Sequence, residues 1–283
     1  MAVRRDFVDG PFGQIHFRIS TPSRNVKPPI VCLHMFPQSG RSFTELMPLL
    51  ATDQVVIAPD FPGYGESDPP DQQVSAEVYA DCIWRALDKI QPGLGNGSID
   101  LFGIHAGAKL AVEAAFQRPH QVGRLMLCSA AVLTQAEIAK YWKSLNKIPL
   151  DDAGTRFQKF WRMQRSYAGD NVPLEAVAIA YAEMLRGGES YHWGHAATFD
   201  YNERFLDRLR HLSHPTLLIN PGDDLYAMTQ RTLPHLRNGR MLDRPHWKPG
   251  FLAVNARELA DDMLQFLSDP EQAQNPEPVR EAV

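Results

Sequence analysis

The chain has 283 residues with a formal net charge of −4 at pH 7, and 44% of its residues are hydrophobic against 22% charged. This is the composition of an ordinary soluble globular protein, and the length suits one large α/β domain with an inserted subdomain. The charge provides no basic surface for nucleic acid or an anionic membrane, and Arg4 and Arg5 precede no apolar run, so we expect neither of those partners, no signal peptide and a cytoplasmic location.

Short β-rich runs alternate with longer helical patterns, which predicts an α/β fold with a mostly parallel twisted sheet flanked by helices. An alternating polar and apolar run at 14–19 predicts an antiparallel hairpin at the start. Further along, apolar runs predict buried strands at Ile30–Leu33, Val55–Ala58, Ile99–Phe102, Leu125–Cys128, Thr216–Ile219 and Arg240–Leu242. The three cysteines, Cys32, Cys82 and Cys128, form no metal-binding or disulfide pattern.

The alternation breaks between residues 132 and 199, where aromatic residues recur at helical spacing. We therefore predict a helical cap at 132–199, inserted into a core made of residues 1–131 and 200–268. The stretch 269–283 is rich in proline and acidic residues and lacks apolar periodicity, which predicts a disordered tail.

Polar residues follow the ends of several predicted strands. In open parallel sheets, ligands bind outside the carboxyl ends of the strands, so residues at these points are candidates for one shared site. They are His34, Asp60, His105, Asp224 and His246.

The sequence Gly103–Gly107, with His105 at its centre, has the pattern of a nucleophile elbow. An elbow is a tight strand-to-helix turn whose central residue is strained and exposed, and its flanking glycines allow close backbone approach. An apolar strand precedes this turn and a helix rich in small residues follows it. The usual serine is here a histidine.

Five motifs in this order resemble the α/β-hydrolase superfamily, over a stretch from about residue 7 to 267. His34–Gly40 is similar to its oxyanion loop, although the glycine that usually follows the histidine is Met35. Asp60–Asp68 is similar to its loop after the fourth strand. The elbow is the third motif, and the segments 220–224 and 245–247 stand where the family has its catalytic acid and histidine.

The resemblance implies His246 as the base, Asp224 as the acid that orients it, with Asp223 as the rival, and the backbone N–H groups of Phe36 and Ala106 as the oxyanion hole. His34 is expected to order the oxyanion loop. It is counted with the substrate-facing candidates Trp142, Trp161, Trp193 and Trp247.

His105 has three interpretations. It is a nucleophile that forms an acyl-imidazole, with His246 activating the hydrolytic water. Alternatively, His105 and His246 form an acid/base pair in a non-hydrolytic lyase or isomerase, or the nucleophile is lost and the protein is a silent ligand-binding pseudoenzyme. Hydrolysis of a small apolar or aromatic carbonyl compound (ester, thioester, lactone or C–C bond) is the first hypothesis.

No cofactor is implied. His192 and His195 have the spacing of a metal-ligand pair, but no suitable third ligand lies nearby in the sequence, so no metal ion is expected. The expected partner is a small-molecule substrate, and the oligomeric state is left open, with a homodimer as one option.

Overall fold

The computed structural model describes residues 2–90, 97–144 and 148–268, and it leaves the predicted tail at 269–283 outside the described residues. Within these ranges an eight-stranded sheet has the order β1-β2-β4-β3-β5-β6-β7-β8. The strands are β1 (Val3–Gly10), β2 (Gly13–Ser20), β3 (Ile30–Leu33), β4 (Val56–Pro59), β5 (Ile99–Ile104), β6 (Val122–Cys128), β7 (Thr216–Pro221) and β8 (Gly239–Arg244). β1 pairs antiparallel with β2, and β2 with β4, while every later pairing is parallel.

Helices connect the parallel strands and cover both faces of the sheet. They are α1 (Met47–Leu50), α2 (Ala76–Ile90), α3 (Ala106–Gln117), α4 (Gln135–Ser144), α5 (Thr155–Tyr167), α6 (Leu174–Arg186), α7 (Trp193–Asp200), α8 (Asn202–His211), α9 (Tyr226–Gln230) and α10 (Ala256–Ser268). Five of them, α4 to α8, lie between β6 and β7, and α4 to α7 occupy the interval predicted for a cap. We refer to residues 132–199 as the helical segment.

The two faces of the sheet bury different side chains because successive residues of a strand point to opposite sides. On β5, Leu101 belongs to the core shared with α2, α3 and α8. Its neighbour Phe102 belongs to the core shared with α1 and α10. Burial on both faces explains why the central strands are continuous apolar runs, and it confirms the predicted α/β fold class.

The predicted strands are all present, and most extend one or two residues beyond the predicted ends, towards the loops that carry polar side chains. The parallel strands β3 and β5 to β8 therefore bring His34, His105, Ser129 and Asp223 to one edge of the sheet. In the residues that the structure describes, every helix is too short or too polar to span a bilayer.

Candidate active site

His105 lies at the strained turn between β5 and α3. Its backbone has φ 52° and ψ −118°, a conformation that costs free energy for a residue with a side chain. The flanking glycines allow this turn, because a Cβ atom at Gly103 would collide with the carbonyl oxygen of Gly107, and one at Gly107 would collide with that of Leu33. The structure therefore contains the elbow that the sequence pattern predicts, and it presses the start of α3 against the end of β3.

The imidazole of His105 contacts an acid directly. Its Nε2 lies 3.0 Å from Oδ2 of Asp223, in the loop that follows β7. The His105 side chain is 16% exposed and that of Asp223 only 1%, so water screens this pair weakly. The histidine at the elbow and the carboxylate after β7 form a dyad.

Two further groups hold Asp223 in place. The hydroxyl of Ser129 donates to Oδ2 at 2.6 Å, and the backbone N–H of Leu225 donates to Oδ1 at 2.9 Å. Ser129 has φ 54° and, with His105, is one of two non-glycine residues with positive φ in the described ranges. Because both strained residues contact the same carboxylate, the strain points to a functional site.

Each member of the dyad stabilises the charged form of the other. Burial by itself lowers the pKa of His105, but the charge and hydrogen bond of Asp223 outweigh burial and raise it above the ordinary histidine value. Burial also raises the pKa of Asp223, and here the charge and hydrogen bond of His105, with the Ser129 hydroxyl, hold it below the ordinary value. An imidazolium at His105 is therefore stabilised by a carboxylate that stays ionised.

Asp224 lies beside the dyad but makes a different hydrogen bond. The hydroxyl of Tyr167, the last residue of α5, donates to its Oδ1 at 2.7 Å. Adjacent residues of a loop project in different directions, so only one of the two aspartates reaches the elbow histidine. The structure gives that place to Asp223, which was the rival in the sequence analysis, while Asp224 connects the loop after β7 to the helical segment.

His246 does not take the place expected of the catalytic histidine. Its side chain is 62% exposed, and Nε2 lies 3.3 Å from the carboxylate of Glu258 on α10. The next residue, Trp247, is fully buried, stacks on Phe251 with ring centroids 5.3 Å apart, and donates its N–H to Glu258 at 2.7 Å. Burial of the larger apolar ring turns the neighbouring histidine outwards, so the structure does not pair His246 with His105.

The loop after β3 is held by His34, which is completely buried. Its Nδ1 lies 2.9 Å from the carbonyl oxygen of Met35, and the N–H of Phe61 donates to its Nε2 at 3.0 Å. This pattern requires a neutral ring with the hydrogen on Nδ1, and burial lowers the pKa of His34 accordingly. His34 therefore orders the loop that carries Phe36 and contacts protein on both nitrogens.

The two expected oxyanion donors are available. Phe36 follows the ordered loop, and Ala106 is the first residue of α3, where backbone N–H groups have no partner within the helix. Across the described residues, neither N–H takes part in a hydrogen bond. Both remain free to bind an oxygen.

The four tryptophans expected to contact substrate lie in different surroundings. Trp247 is buried in the core on the α10 side, and Trp161 packs edge-on against Tyr181. Trp142 lines an open pocket of about 350 Å³ between α4 and the start of α8, whose lining includes no residue of the elbow or the dyad. Trp193 is half-buried at the start of α7. None of them is placed in contact with His105.

Ser129 and Tyr167 had no assigned role in the sequence analysis, and His195 was considered there only as one of a pair with metal-ligand spacing. Ser129 directly follows β6, so the rule that ligands bind at strand ends would have singled it out. Tyr167 ends a helix distant in sequence, and no local pattern indicates its contact with Asp224. His195 lies on α7 near Phe36, with their ring centroids 6.4 Å apart.

His105, Asp223 and Asp224 also form a group whose ligand atoms lie within 4.8 Å of one another, close enough to hold a metal ion. All three side chains are already hydrogen-bonded, to one another, to Ser129 or to Tyr167. A hydrogen-bonded dyad accounts for the geometry without a metal ion. Adding a chelator distinguishes a dyad from a metal site.

Comparison with known proteins agrees with the fold. The family model for the alpha/beta hydrolase fold matches residues 28–238, so the chain belongs to this family. It is 28% identical over 197 residues to 2-hydroxymuconate semialdehyde hydrolase of Pseudomonas sp. (strain CF600), covering 66% of each chain. It is 28% identical over 113 residues to epoxide hydrolase 4 of Mus musculus, covering 40% of this chain and 31% of the relative.

A solved structure extends the likeness to nearly the whole chain. The thermophilic esterase of Thermogutta terrifontis has a TM-score of 0.74 at 18% identity, covering 94% of this chain and 99% of the esterase. At this identity the likeness shows the fold alone. The chain spans 66% of the length of the Pseudomonas relative and 31% of that of the mouse relative.

Proposed function

We propose that the protein hydrolyses a small apolar or aromatic carbonyl compound, with His105 as the catalytic residue and Asp223 as the acid that orients it. The observation that carries this proposal is the contact between His105 Nε2 and Asp223 at the elbow. In the serine version of this fold the acid orients a separate histidine, which activates the serine. Here one histidine stands at the elbow and contacts the acid itself.

The contact assigns different tasks to the two ring nitrogens. The Asp223 carboxylate can only accept, so Nε2 carries a hydrogen and Nδ1 of the neutral ring keeps its lone pair. Nδ1 has no hydrogen-bond partner in the described part of the chain and is not among the buried unpaired atoms. It is the nitrogen available to a substrate or a water molecule.

We favour His105 as a general base acting on water. Nδ1 removes a proton from the water, the water oxygen bonds to the carbonyl carbon, and the carbonyl electrons move to oxygen as the oxyanion. The resulting imidazolium is stabilised by Asp223, and it returns the proton to the leaving group when the tetrahedral intermediate breaks down. The N–H groups of Phe36 and Ala106 are the donors for the oxyanion.

The nucleophilic route begins instead with the attack of His105 on the carbonyl carbon, and it lacks a second base. An acyl-imidazole on His105 needs a second base to activate the water that releases it, unless it hydrolyses unaided. His246 was expected to be that base, but it contacts Glu258 and is largely exposed. The same placement removes the His105–His246 pair on which the lyase or isomerase alternative depends.

The substrate class follows from the surroundings and from the relatives. Phe36 packs among the buried rings of Phe61, Tyr64 and Tyr79, and Tyr141 stacks on Phe199 in the helical segment, so the core next to the proposed oxyanion donor and the helical segment are both rich in aromatic side chains. The relatives named above include a semialdehyde hydrolase, and the structural neighbour is an esterase. These features favour an apolar acyl compound.

The test is hydrolysis of 4-nitrophenyl acetate and 4-nitrophenyl benzoate by the wild type and by His105→Gln, followed by the absorbance of the released nitrophenolate. We expect His105→Gln to reduce the rate by about 10²- to 10⁴-fold, the usual contribution of a positioned base. Intact-mass spectrometry after rapid mixing should show no acyl adduct. EDTA should leave the rate unchanged, because the dyad needs no metal ion.

Each result has a defined meaning. A transient adduct that maps to His105 would establish the nucleophilic route. Loss of activity with EDTA and recovery with a divalent cation would favour the metal interpretation of the His105, Asp223 and Asp224 group. Equal enzymatic rates in the wild type and His105→Gln would exclude His105 as the catalytic residue, and rates that match the uncatalysed reaction in both would leave a ligand-binding protein without catalysis.

A further inference from the structure

A second histidine, on the helical segment, lies near Phe36, one of the two proposed oxyanion donors. His195 is on α7, and its ring lies 6.4 Å from that of Phe36 and 6.1 Å from that of Phe199, centroid to centroid. The preceding Gly194 packs so closely on the Phe36 ring that any Cβ there would collide with it. The backbone N–H of Gly194 also donates to the Tyr64 hydroxyl at 2.7 Å. These contacts fix the position of His195 against the residue proposed as an oxyanion donor.

The hydrogen bonding of His195 differs from that of the structural histidine His34. Both ring nitrogens of His34 are hydrogen-bonded to protein. In contrast, Nδ1 of His195 is buried without a partner, and Nε2 makes no hydrogen bond within the described residues and is not among the buried unpaired atoms. Nε2 therefore retains some solvent-accessible surface. Buried polar groups are usually hydrogen-bonded, so packing alone leaves this arrangement unexplained.

The surroundings keep His195 neutral. Burial, and then the positive charges of His105 and His192, lower its pKa to about 4. A neutral imidazole has one N–H donor and one lone pair. An N–H at the accessible Nε2 can donate to water or a ligand, whereas an N–H at the enclosed Nδ1 would have no acceptor. We therefore assign the hydrogen to Nε2.

We propose that His195 is a substrate-binding residue that donates its Nε2–H to the oxygen of the carbonyl group on which His105 acts. This inference rests on the proposed function. His195 transfers no proton: it stays neutral, and its hydrogen bond strengthens as negative charge develops on the oxygen. The helical segment would then contribute directly to the chemistry as well as enclosing the substrate.

The first experiment compares His195→Leu, which loses the donor, with His195→Gln, which keeps an N–H, using 4-nitrophenyl acetate. We expect kcat to fall about 10²-fold in His195→Leu with little change in KM, the usual loss for one oxyanion donor, and to recover largely in His195→Gln. The matched control is His120→Leu, which replaces an exposed histidine outside the site. An unchanged kcat in His195→Leu overturns the proposal, as does an equal loss in both variants, since that indicates packing.

The second experiment needs neither a stable variant nor turnover. In the wild type, histidine NMR signals are followed while 2,2,2-trifluoroacetophenone, a reactive ketone, or ethylbenzene, which lacks the carbonyl, is added. We expect the ketone to shift the His195 signal and ethylbenzene to leave it in place. If the esters are not hydrolysed but the ketone shifts His195, the proposed hydrolysis fails and this inference stands. If both ligands shift it equally, or neither does, the inference is overturned.

Discussion

The loops after β7 and β8 occupy neighbouring positions at the same edge of the sheet, yet their polar side chains point in opposite directions. After β7, Asp223 turns inwards and contacts His105. After β8, His246 turns outwards and contacts Glu258. The difference arises from the groups beside them: the Ser129 hydroxyl and the backbone N–H of Leu225 hold Asp223 in, whereas the Trp247 side chain fills the buried space next to His246. A residue at the right place in a motif still depends on its neighbours for its direction.

The strongest test of this contrast is to remove His105 and His246 separately. We expect His105→Ala to lower kcat/KM for 4-nitrophenyl acetate by about 10²- to 10⁴-fold, because it removes the proposed base. His246→Ala should stay close to the wild-type rate, since this side chain is exposed and paired with Glu258. A large loss in His246→Ala would show that the loop after β8 moves inwards during catalysis.

The second test concerns stability and uses adjacent residues. Trp247→Ala should lower the free energy of unfolding by about 3–5 kcal/mol, since it removes a fully buried aromatic side chain. His246→Ala should cost less than about 1 kcal/mol, because it breaks only an exposed contact with Glu258. Urea denaturation followed by circular dichroism measures both. Similar costs for the two variants would contradict the explanation given for the outward position of His246.

The third test separates the two aspartates. In the wild type, we expect kcat/KM to rise with pH as the neutral base forms, with an inflection above the ordinary histidine pKa because Asp223 raises that of His105. Asp223→Asn removes this charge, so the inflection should move to lower pH and the plateau should fall about 10²-fold. Asp224→Asn should move the inflection less, because its charge is the smaller influence on His105. A larger displacement in Asp224→Asn would reverse the assignment.

Much of the fold followed from local patterns. Apolar runs indicated the strands, and Gly103 and Gly107 indicated an elbow because only glycine fits where the backbone of α3 approaches β3 and β5 so closely. The division into a core and a cap, and the assignment of the oxyanion donors, remain predictions. The surroundings of the tryptophans were harder to predict from the sequence. A large aromatic ring suits a buried core and a ligand pocket alike, as Trp247 and Trp142 illustrate.

The sequence by itself determined the class of fold, the elbow and the set of polar residues at the strand ends, because these depend on spacing along the chain. Only the tertiary structure decided that Asp223 rather than Asp224 meets His105, that His246 faces Glu258, that Ser129 contacts Asp223, and that His195 lies near Phe36. The physical reason is that the direction of a loop side chain depends on contacts with residues far away in the sequence. Those contacts exist only once the chain has packed.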